Sequence, residues 1–174
     1  MHMTMNHQVY TTLFSHNDWQ VYLAATANGL CFLGTHHSSF EEMEQWCKKQ
    51  FPNAVLVEDD TQLERYKKEL IEYFEGRLTD FTIPFDIRGT TFQMSVWNAL
   101  CTIPFGQSKC YSDIANFIGN PKAVRAVGTA IGANPVAIAI PCHRVLGKNG
   151  TLTGYSGGLD VKEKLLQLEG IHYK

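Results

Sequence analysis

The sequence of 174 residues contains no long apolar run, no low-complexity tract and no segment typical of a secretory signal. A membrane-spanning helix needs about 20 largely apolar residues, and a signal peptide needs a shorter apolar core behind a basic start. We therefore expect a soluble cytoplasmic protein with no membrane partner. At 44% hydrophobic residues, the chain can bury one core or two small ones.

Closely spaced cysteines are also missing from the sequence. The five cysteines are Cys31, Cys47, Cys101, Cys110 and Cys142. Zinc sites use cysteines a few residues apart, and disulfide frameworks are typical of short secreted chains with an even number of cysteines. We therefore expect free thiols in a reducing cytoplasm, with no metal site and no cofactor.

A strong overall charge is absent, and only the distribution of charge is informative. The formal net charge is −2. Residues 1–86 contain 6 basic and 13 acidic residues and carry −7, whereas residues 87–174 contain 9 basic and 4 acidic residues and carry +5. Halves of a chain often differ in charge by chance, but a module that faces phosphates needs a positive charge. Residues 87–174 are therefore the candidate nucleic-acid-binding part.

The most informative segment of that half is Pro-Cys-His-Arg-Val, residues 141–145, which follows the apolar run 136–140. A thiol attacks as the thiolate, so a reactive cysteine needs a base or a positive field nearby. His143 is the candidate base for Cys142. Neighbouring residues of a strand point to opposite faces, however, and the dipeptide alone favours a structural cysteine.

Residues 1–86 predict an α/β domain with a small antiparallel sheet. Asn28 and Gly29 are typical of a hairpin turn between two β-rich runs, and the spacing of apolar residues further on is helical. The expected strands and helices cover residues 9–14, 19–25, 30–33, 40–49 and 61–74. The segment 81–86 is expected to be a connector.

Residues 87–174 predict a mainly α-helical domain. The expected helices cover residues 91–101, a segment beginning near 112, 121–133 and 159–172. Pro121 suits the first position of a helix, where its missing N–H costs nothing. Two short helices joined by a turn indicate a helix-turn-helix.

The predicted helix 121–133 has an apolar face, and its opposite face is small and smooth. The second face contains Lys122, Arg125, Ala126 and Thr129. It lacks the additional amide and arginine side chains that read bases in the major groove, and it suits a close approach to the minor groove. Arg125 is the single side chain long enough to enter the base stack, although an ordinary surface arginine is the better interpretation of the helix alone.

The segment around Cys142 resembles the active-site signature of the O6-alkylguanine-DNA alkyltransferases, also called methylated-DNA–protein-cysteine methyltransferases. The resemblance extends over most of the chain from Phe92 to Gly170 and is loose before it. The other matching residues are Phe92-Gln93, Val96-Trp97, Ile103-Pro104, Tyr111, Ile114-Ala115, Asn120-Pro121, Ala126-Val127-Gly128 and Lys162-Glu163. The resemblance implies a ribonuclease H-like N-terminal domain and a winged-helix-like C-terminal domain.

The resemblance also implies DNA repair by direct reversal of damage. An alkyl group, typically methyl, passes irreversibly from O6-alkylguanine in double-stranded DNA to Cys142, and the protein is consumed. We expect a monomer, and the sequence leaves activity on O4-alkylthymine open. The target base has to leave the stack before it can react, and the resemblance makes Arg125 the side chain that takes its place.

The resemblance assigns the catalytic group to Cys142, His143, Glu169 and Tyr111. His143 takes the thiol proton through a water molecule, and Glu169 orients His143. Tyr111 protonates the departing base. Independently, Glu169 lies at the edge of the apolar stripe of the predicted helix 159–172, beside Lys162, where a carboxylate needs a partner.

The same resemblance assigns the pocket for the guanine base and a structural link. The pocket residues are Val145, Tyr155, Ser156, Gly157 and Lys162. Asn134 is expected to fasten the recognition helix to the active-site turn.

Two residues depart from the family pattern. Ala137 stands where some members have proline, which predicts a roomier pocket, and Cys110 stands where serine or threonine is usual. We expect Cys110 to be a packed bystander. The alternative functions are a non-catalytic protein that binds alkylated DNA or regulates transcription, and a cysteine hydrolase that uses Cys142, His143 and Glu169.

Overall fold

The structure is a computed structural model and describes residues 8–35 and 37–174. Residues 1–7 of the predicted N-terminal domain lie outside the described part. Within the described part, no helix is both long and apolar enough to cross a membrane.

A four-stranded sheet begins the chain. Its strands are β1 (Gln8–His16), β2 (Trp19–Thr26), β3 (Gly29–Leu33) and β4 (Val55–Glu58), in the order β3-β2-β1-β4. The first three are antiparallel neighbours, as predicted. β4 pairs in parallel with β1, so the sheet is mixed and the prediction of an antiparallel sheet is corrected. A helix returns the chain across the sheet after β3, and the next strand therefore runs in the direction of β1.

Two helices cover the two faces of this sheet. They are α1 (Phe40–Gln50) and α2 (Glu64–Phe74), close to the predicted bounds. The side chain of Ser39 caps α1 by accepting a hydrogen bond from the backbone N–H of Glu42. Side chains of a strand alternate between faces, and accordingly Leu23 packs in the core with α2 while Ala24 packs in the core with α1.

Four helices dominate the rest of the chain. They are α3 (Thr91–Leu100), α4 (Tyr111–Phe117), α5 (Val124–Gly132) and α6 (Leu159–Glu169). Thr90 and Gln93 form a capping box at the start of α3. Trp97 of α3 is buried, and its Nε1 donates to the carbonyl of Ala130 in α5 at 2.9 Å. Two short strands, β5 (Lys109–Cys110) and β6 (Val145–Leu146), pair in parallel beside the helices.

The start of α5 differs from the prediction. The helix begins at Val124, and Pro121 and Lys122 lie in a turn before it. The backbone N–H of Ala123 bonds to the carbonyl of Asn120 at 3.0 Å, which closes this turn. The proline therefore stands outside the helix, because the turn after α4 takes up three more residues than expected.

The edge of β3 joins the two halves of the chain. The backbone of Leu33 donates to Pro135 at 3.0 Å and accepts from Ala137 at 3.0 Å. On the same strand, Leu30 exchanges backbone hydrogen bonds with Pro84 and Asp86 of the expected connector. The apolar run 136–140 is thereby drawn along the sheet edge into the core, immediately before Cys142.

Candidate active site

The chain that carries Cys142 is held by the residues just before it. Asn134 follows the end of α5, and its Nδ2 donates to the carbonyl of Ile140 at 2.9 Å. Its Oδ1 accepts from the backbone N–H of Val136 at 3.0 Å. One side chain thus clamps both ends of the apolar run, and Cys142 begins a single 3-10 turn at a defined distance from α5.

Cys142 is buried at the bottom of a cavity of about 200 Å³. Its Sγ lies 3.7 Å from the hydroxyl of Tyr155. Burial raises the pKa of the Cys142 thiol, although hydrogen bonds with Asn134 and Tyr155 and the charge of Lys162 act in the opposite direction. The resting thiol is therefore protonated, and attack requires a base.

His143 is fully buried behind this thiol. Its Nε2 lies 2.5 Å from Oε2 of Glu169. An ionised carboxylate only accepts hydrogen bonds, so Nε2 carries the ring proton and Nδ1 has the free lone pair. Among the described residues, Nδ1 has no hydrogen-bonding partner. Burial lowers the pKa of His143 despite its bond with Glu169, and the ring at rest is neutral.

Glu169 receives more hydrogen bonds than the sequence indicated. Besides His143, its carboxylate accepts from Arg144 Nε at 2.7 Å, from the backbone N–H of Gly106 at 3.1 Å and from the hydroxyl of Tyr73 at 2.5 Å. Burial by itself raises the pKa of a carboxyl group, but the bonds from His143, Arg144 and Tyr73 outweigh it and lower the pKa of Glu169 to about 2. Glu169 is therefore ionised and fixed.

Lys162 does not lie against Glu169 as expected. It is 1% exposed, and its Nζ donates to the carbonyl of Val145 at 2.7 Å. Burial lowers its pKa to about 8. Because Lys162 and Glu169 are seven residues apart on α6, they share a side of the helix, but each finds a different partner on the chain that follows Cys142.

Of the predicted pocket residues, Tyr155, Ser156 and Lys162 line the cavity at Cys142, whereas Val145 and Gly157 do not. Tyr111, at the start of α4, places its hydroxyl 3.0 Å from that of Thr153. The residues that line the cavity are Tyr111, Gly128, Ile131, Gly132, Cys142, Gly154, Tyr155, Ser156 and Lys162. One wall is thus formed by α5, and Tyr111, Tyr155, Ser156 and Lys162 share this cavity with Cys142.

Gly157 lies against the N-terminal half of the chain. A Cβ placed on it would meet Thr35 Cγ2 at 2.7 Å, and its carbonyl accepts a hydrogen bond from Thr35 Oγ1 at 3.4 Å. Thr35, Ala137 and Cys142 also line a second cavity, of about 220 Å³, between the two halves. Ala137 is therefore a lining residue of the second cavity, and Cys142 lines both cavities.

The four predicted DNA-binding residues are all exposed. Arg125, Ala126 and Thr129 lie on the outer face of α5, and Lys122 lies in the turn before it. The predicted apolar face is only partly buried. Val127 and Ile131 are core residues, but Val124 is 38% exposed and Gly128 lines the cavity near Tyr111.

Cys110 is not packed in the core. Its sulfur lies 3.0 Å from Ser112 Oγ and 3.1 Å from Asp113 Oδ2, and the side chain is half-exposed at the start of α4. Its position before a helix explains the correction, because a residue there bonds to the first turn. Within the described residues, no cluster of three or more His, Cys, Asp or Glu side chains has the arrangement of a metal site.

Tyr73 and Arg144 were missed by sequence reasoning. Arg144 belongs to the motif that contains Cys142, and a buried glutamate in need of a partner was a signal for it. Tyr73 lies about seventy residues before His143 in another part of the fold, and the sequence contains no signal that links the two.

The sequence matches two family profiles that together cover most of the chain. Residues 9–87 match the ribonuclease-like domain of 6-O-methylguanine DNA methyltransferase, and residues 91–171 match its DNA-binding domain. The inducible methylated-DNA–protein-cysteine methyltransferase of Bacillus subtilis (strain 168) is 55% identical over 161 residues, which are 92% of this chain and 90% of that protein. The methylated-DNA–protein-cysteine methyltransferase of Methanosarcina acetivorans is 54% identical over 114 residues, covering 66% of this chain and 73% of its own.

Solved structures agree with these sequence matches. The crystal structure of the Mycobacterium tuberculosis O6-methylguanine methyltransferase superposes with a TM-score of 0.76 at 37% identity, over 94% of this chain and 92% of that one. The same protein in complex with DNA superposes with a TM-score of 0.78 at 38% identity, over 93% and 92%. The profiles and the relatives show that the chain belongs to the 6-O-methylguanine DNA methyltransferase family.

Proposed function

We propose that the protein repairs alkylated double-stranded DNA by moving the alkyl group of O6-alkylguanine to the sulfur of Cys142. The observation that carries this proposal is a buried thiol at the bottom of a cavity, backed by a neutral His143 and an ionised Glu169. Its relatives are named for that activity, and one of the similar structures was solved in complex with DNA. Removal of the alkyl group from the resulting thioether would require water to displace a thiolate from an alkyl carbon, which is very slow, so each molecule acts once.

The first step is proton removal from Cys142. His143 Nδ1 is the free lone pair of the buried ring, and we assign it the thiol proton, passed through one water molecule. Glu169 then stabilises the protonated ring through Nε2. The base is needed because burial keeps the thiol protonated.

The second step is displacement at the alkyl carbon. The sulfur–carbon bond forms as the carbon–O6 bond breaks, and the electron pair moves onto the guanine. Tyr111 donates its phenolic proton to the ring, and Ser156 and the backbone N–H groups of residues 155–157 bond to O6. Val145 accepts from the exocyclic amine with its second lone pair, since Lys162 uses the first.

DNA is bound through α4 and α5, which form the proposed helix-turn-helix of a winged-helix-like domain. The exposed residues of α5 are small except Arg125, so the helix can enter the minor groove closely. Arg125 occupies the space of the extruded base, while Lys122, Ala126 and Thr129 contact the backbone. Asn134 links this helix to the turn that carries Cys142.

The remaining assignments concern the whole molecule. We assign a ribonuclease H-like fold to residues 1–86 and the DNA-binding and transfer functions to residues 87–174. We further propose that the protein works as a monomer in the cytoplasm, without a metal or a cofactor.

Intact mass spectrometry tests the proposed function. After mixing with a duplex that contains O6-methylguanine, the mass rises by one methylene group per protein and stays there, with the label on the Cys142 peptide. Cys142→Ala loses the transfer but still binds the duplex, and Cys110→Ala, the matched control, keeps the transfer. Repeated turnover, or a label on Cys110, contradicts the proposal.

A further inference from the structure

One side chain from the N-terminal half reaches the proposed proton relay. Tyr73 lies in the last turn of α2 and is fully buried. Its hydroxyl lies 2.5 Å from Glu169 Oε2 and 3.5 Å from His143 Nε2. We propose that Tyr73 is a positioning residue for alkyl transfer, which holds Glu169 in place and limits how strongly this carboxylate draws the proton of His143. This inference rests on the function proposed above.

The direction of the Tyr73 hydrogen bond follows from the charges. Glu169 has a pKa of about 2 and is therefore ionised at neutral pH. Its oxygens can only accept hydrogen bonds. Burial and the neighbouring Glu169 raise the pKa of Tyr73 well above its usual value, and the phenol keeps its proton. The hydroxyl is therefore a neutral donor to a buried anion.

The ring of Tyr73 is packed among three phenylalanine rings. Its centroid lies 5.3 Å from that of Phe81, 5.6 Å from that of Phe74 and 6.2 Å from that of Phe105. The residue after Phe105 is Gly106, whose N–H bonds to the other oxygen of Glu169 at 3.1 Å. The aromatic cluster thus positions two hydrogen-bond donors to Glu169. The Tyr73 hydroxyl comes from the N-terminal half, and the Gly106 N–H comes from the C-terminal half.

Several charged and titratable groups face this pair. Oε2 of Glu169 accepts from Tyr73, from His143 Nε2 and from Arg144 Nη2 at 3.2 Å, while Lys162 and Arg144 both act on the pKa of His143. Burial, Cys142 and, to a smaller degree, Tyr73 raise the pKa of Tyr155, whose hydroxyl lies 3.7 Å from Cys142 Sγ. Each donor to Oε2 withdraws negative charge that otherwise stabilises protonated His143.

Removal of the Tyr73 hydroxyl therefore changes the basicity of Glu169 and His143 in a predictable direction. Glu169 becomes more basic and His143 binds a proton more firmly. Transfer of the thiol proton to His143 leaves the number of bound protons unchanged, so the pair of Cys142 thiolate and protonated His143 becomes more populated near neutral pH. The midpoint of the acid limb, at which His143 loses its proton, moves to higher pH. A purely structural tyrosine has a different signature, since loosened packing slows the reaction at every pH without moving the midpoint.

The test is the pH profile of Cys142 alkylation by iodoacetamide, followed by mass spectrometry on the Cys142 peptide. In Tyr73→Phe, which keeps the ring, the midpoint of the acid limb rises by about half a pH unit, and the reaction on the plateau above it is about threefold faster. The matched control is Tyr66→Phe, which removes a hydroxyl from the same helix about 10 Å away along its axis; its profile coincides with wild type. Site-specific fluorotyrosine at position 73, a stronger donor of similar shape, shifts the midpoint of the acid limb downward.

A double variant shows whether Tyr73 acts through Glu169. In the Glu169→Gln background, Tyr73→Phe has no further effect on the midpoint, because the charge that it modulates is gone. An unchanged or lowered midpoint in Tyr73→Phe, or an equal shift in the Glu169→Gln background, overturns the inference.

Transfer from a duplex with O6-methylguanine, measured in parallel, separates this inference from the proposed function. If wild type takes up no methyl group, the proposed function fails, while the iodoacetamide profile still decides whether Tyr73 modulates the relay. If wild type is methylated and the iodoacetamide profiles of wild type and Tyr73→Phe coincide, the proposed function is supported. Tyr73 then does not modulate the relay.

Discussion

The two halves of the molecule contribute to one site in different ways. The C-terminal half provides the thiol, the base and the cavity from residues between 111 and 169, and most of them lie near each other in the sequence. The N-terminal half provides single side chains, Tyr73 and Thr35, each held by packing of its own. The chemistry of the site therefore resides in one half, whereas its protonation and its shape are completed by the other.

Glu169→Gln gives the largest expected effect and tests the C-terminal side of this comparison. A neutral amide no longer stabilises the proton on His143, so alkyl transfer slows by about a hundredfold or more. The variant also leaves the buried Arg144 without its carboxylate, and the free energy of unfolding falls by about 3 kcal/mol. Single-turnover transfer and urea unfolding measure the two effects.

Glu163→Gln is the matched control on the same helix and keeps wild-type values in both measurements. If Glu169→Gln transfers at the wild-type rate, the relay in the C-terminal half is not used.

The pH dependence of stability sharpens the same point, since donors from both halves lower the pKa of Glu169. Its folded pKa of about 2 lies below the ordinary value of 4.5. Ionised Glu169 thus stabilises the folded state by about 3 kcal/mol. This contribution is fully present above about pH 4.5 and is lost as the pH falls toward 2. Urea unfolding of wild type and Glu169→Gln over this range measures it, and a stability difference that stays constant down to pH 2 refutes the assignment.

Arg125→Ala tests whether the DNA-facing surface belongs to the C-terminal half alone. Without a side chain to fill the stack, transfer from duplex O6-methylguanine slows by about tenfold, because extrusion of the base costs a few kcal/mol. Transfer from free O6-benzylguanine, which needs no extrusion, changes by less than about twofold. Tyr111→Phe, in contrast, impairs both substrates.

Lys122→Ala, in the turn before α5, is the control for charge, and it weakens duplex binding without changing the ratio of the two rates. If Arg125→Ala slows transfer from both substrates equally, Arg125 is an ordinary structural contact and does not replace the extruded base.

Gly157→Ala gives the smallest expected effect and tests the contact between the halves. The new Cβ meets Thr35 Cγ2 at 2.7 Å and Tyr155 Cε2 at 3.1 Å, so the loop beside Cys142 has to move. We expect transfer to slow by a few-fold. The double variant Gly157→Ala with Thr35→Ala, which removes the nearest atoms, recovers part of the rate; no recovery means that the N-terminal half does not shape the pocket.

The site in the C-terminal half was accessible to sequence reasoning because its parts are local. Cys142 and His143 are adjacent, and Asn134 lies within one short segment of them. The helical spacing of α6 then placed Glu169 and Lys162 on one side. Their partners were a different matter: Lys162 bonds to Val145 and Glu169 bonds to Arg144, since spacing gives the face of a helix but not what packs against it.

The elements that were missed depended on contacts with other parts of the chain. β4 has four residues and half-exposed side chains, and its pattern alone indicates no strand until β1 offers it an edge. α5 begins at Val124 because the turn that ends α4 sets its start. The local sequence is compatible with a helix that starts at either Pro121 or Val124. The hydrogen bonds of the preceding turn determine that it starts at Val124.

By itself, the sequence determined the two-part organisation, the positive charge of the second part and the residues able to carry the chemistry, because these follow from composition and short motifs. Only the tertiary structure decided the state of those residues. Burial keeps the Cys142 thiol protonated and His143 neutral, and a phenol from the other half of the chain fixes Glu169. Protonation depends on desolvation and on neighbours in space, and these exist only after the two halves have packed together.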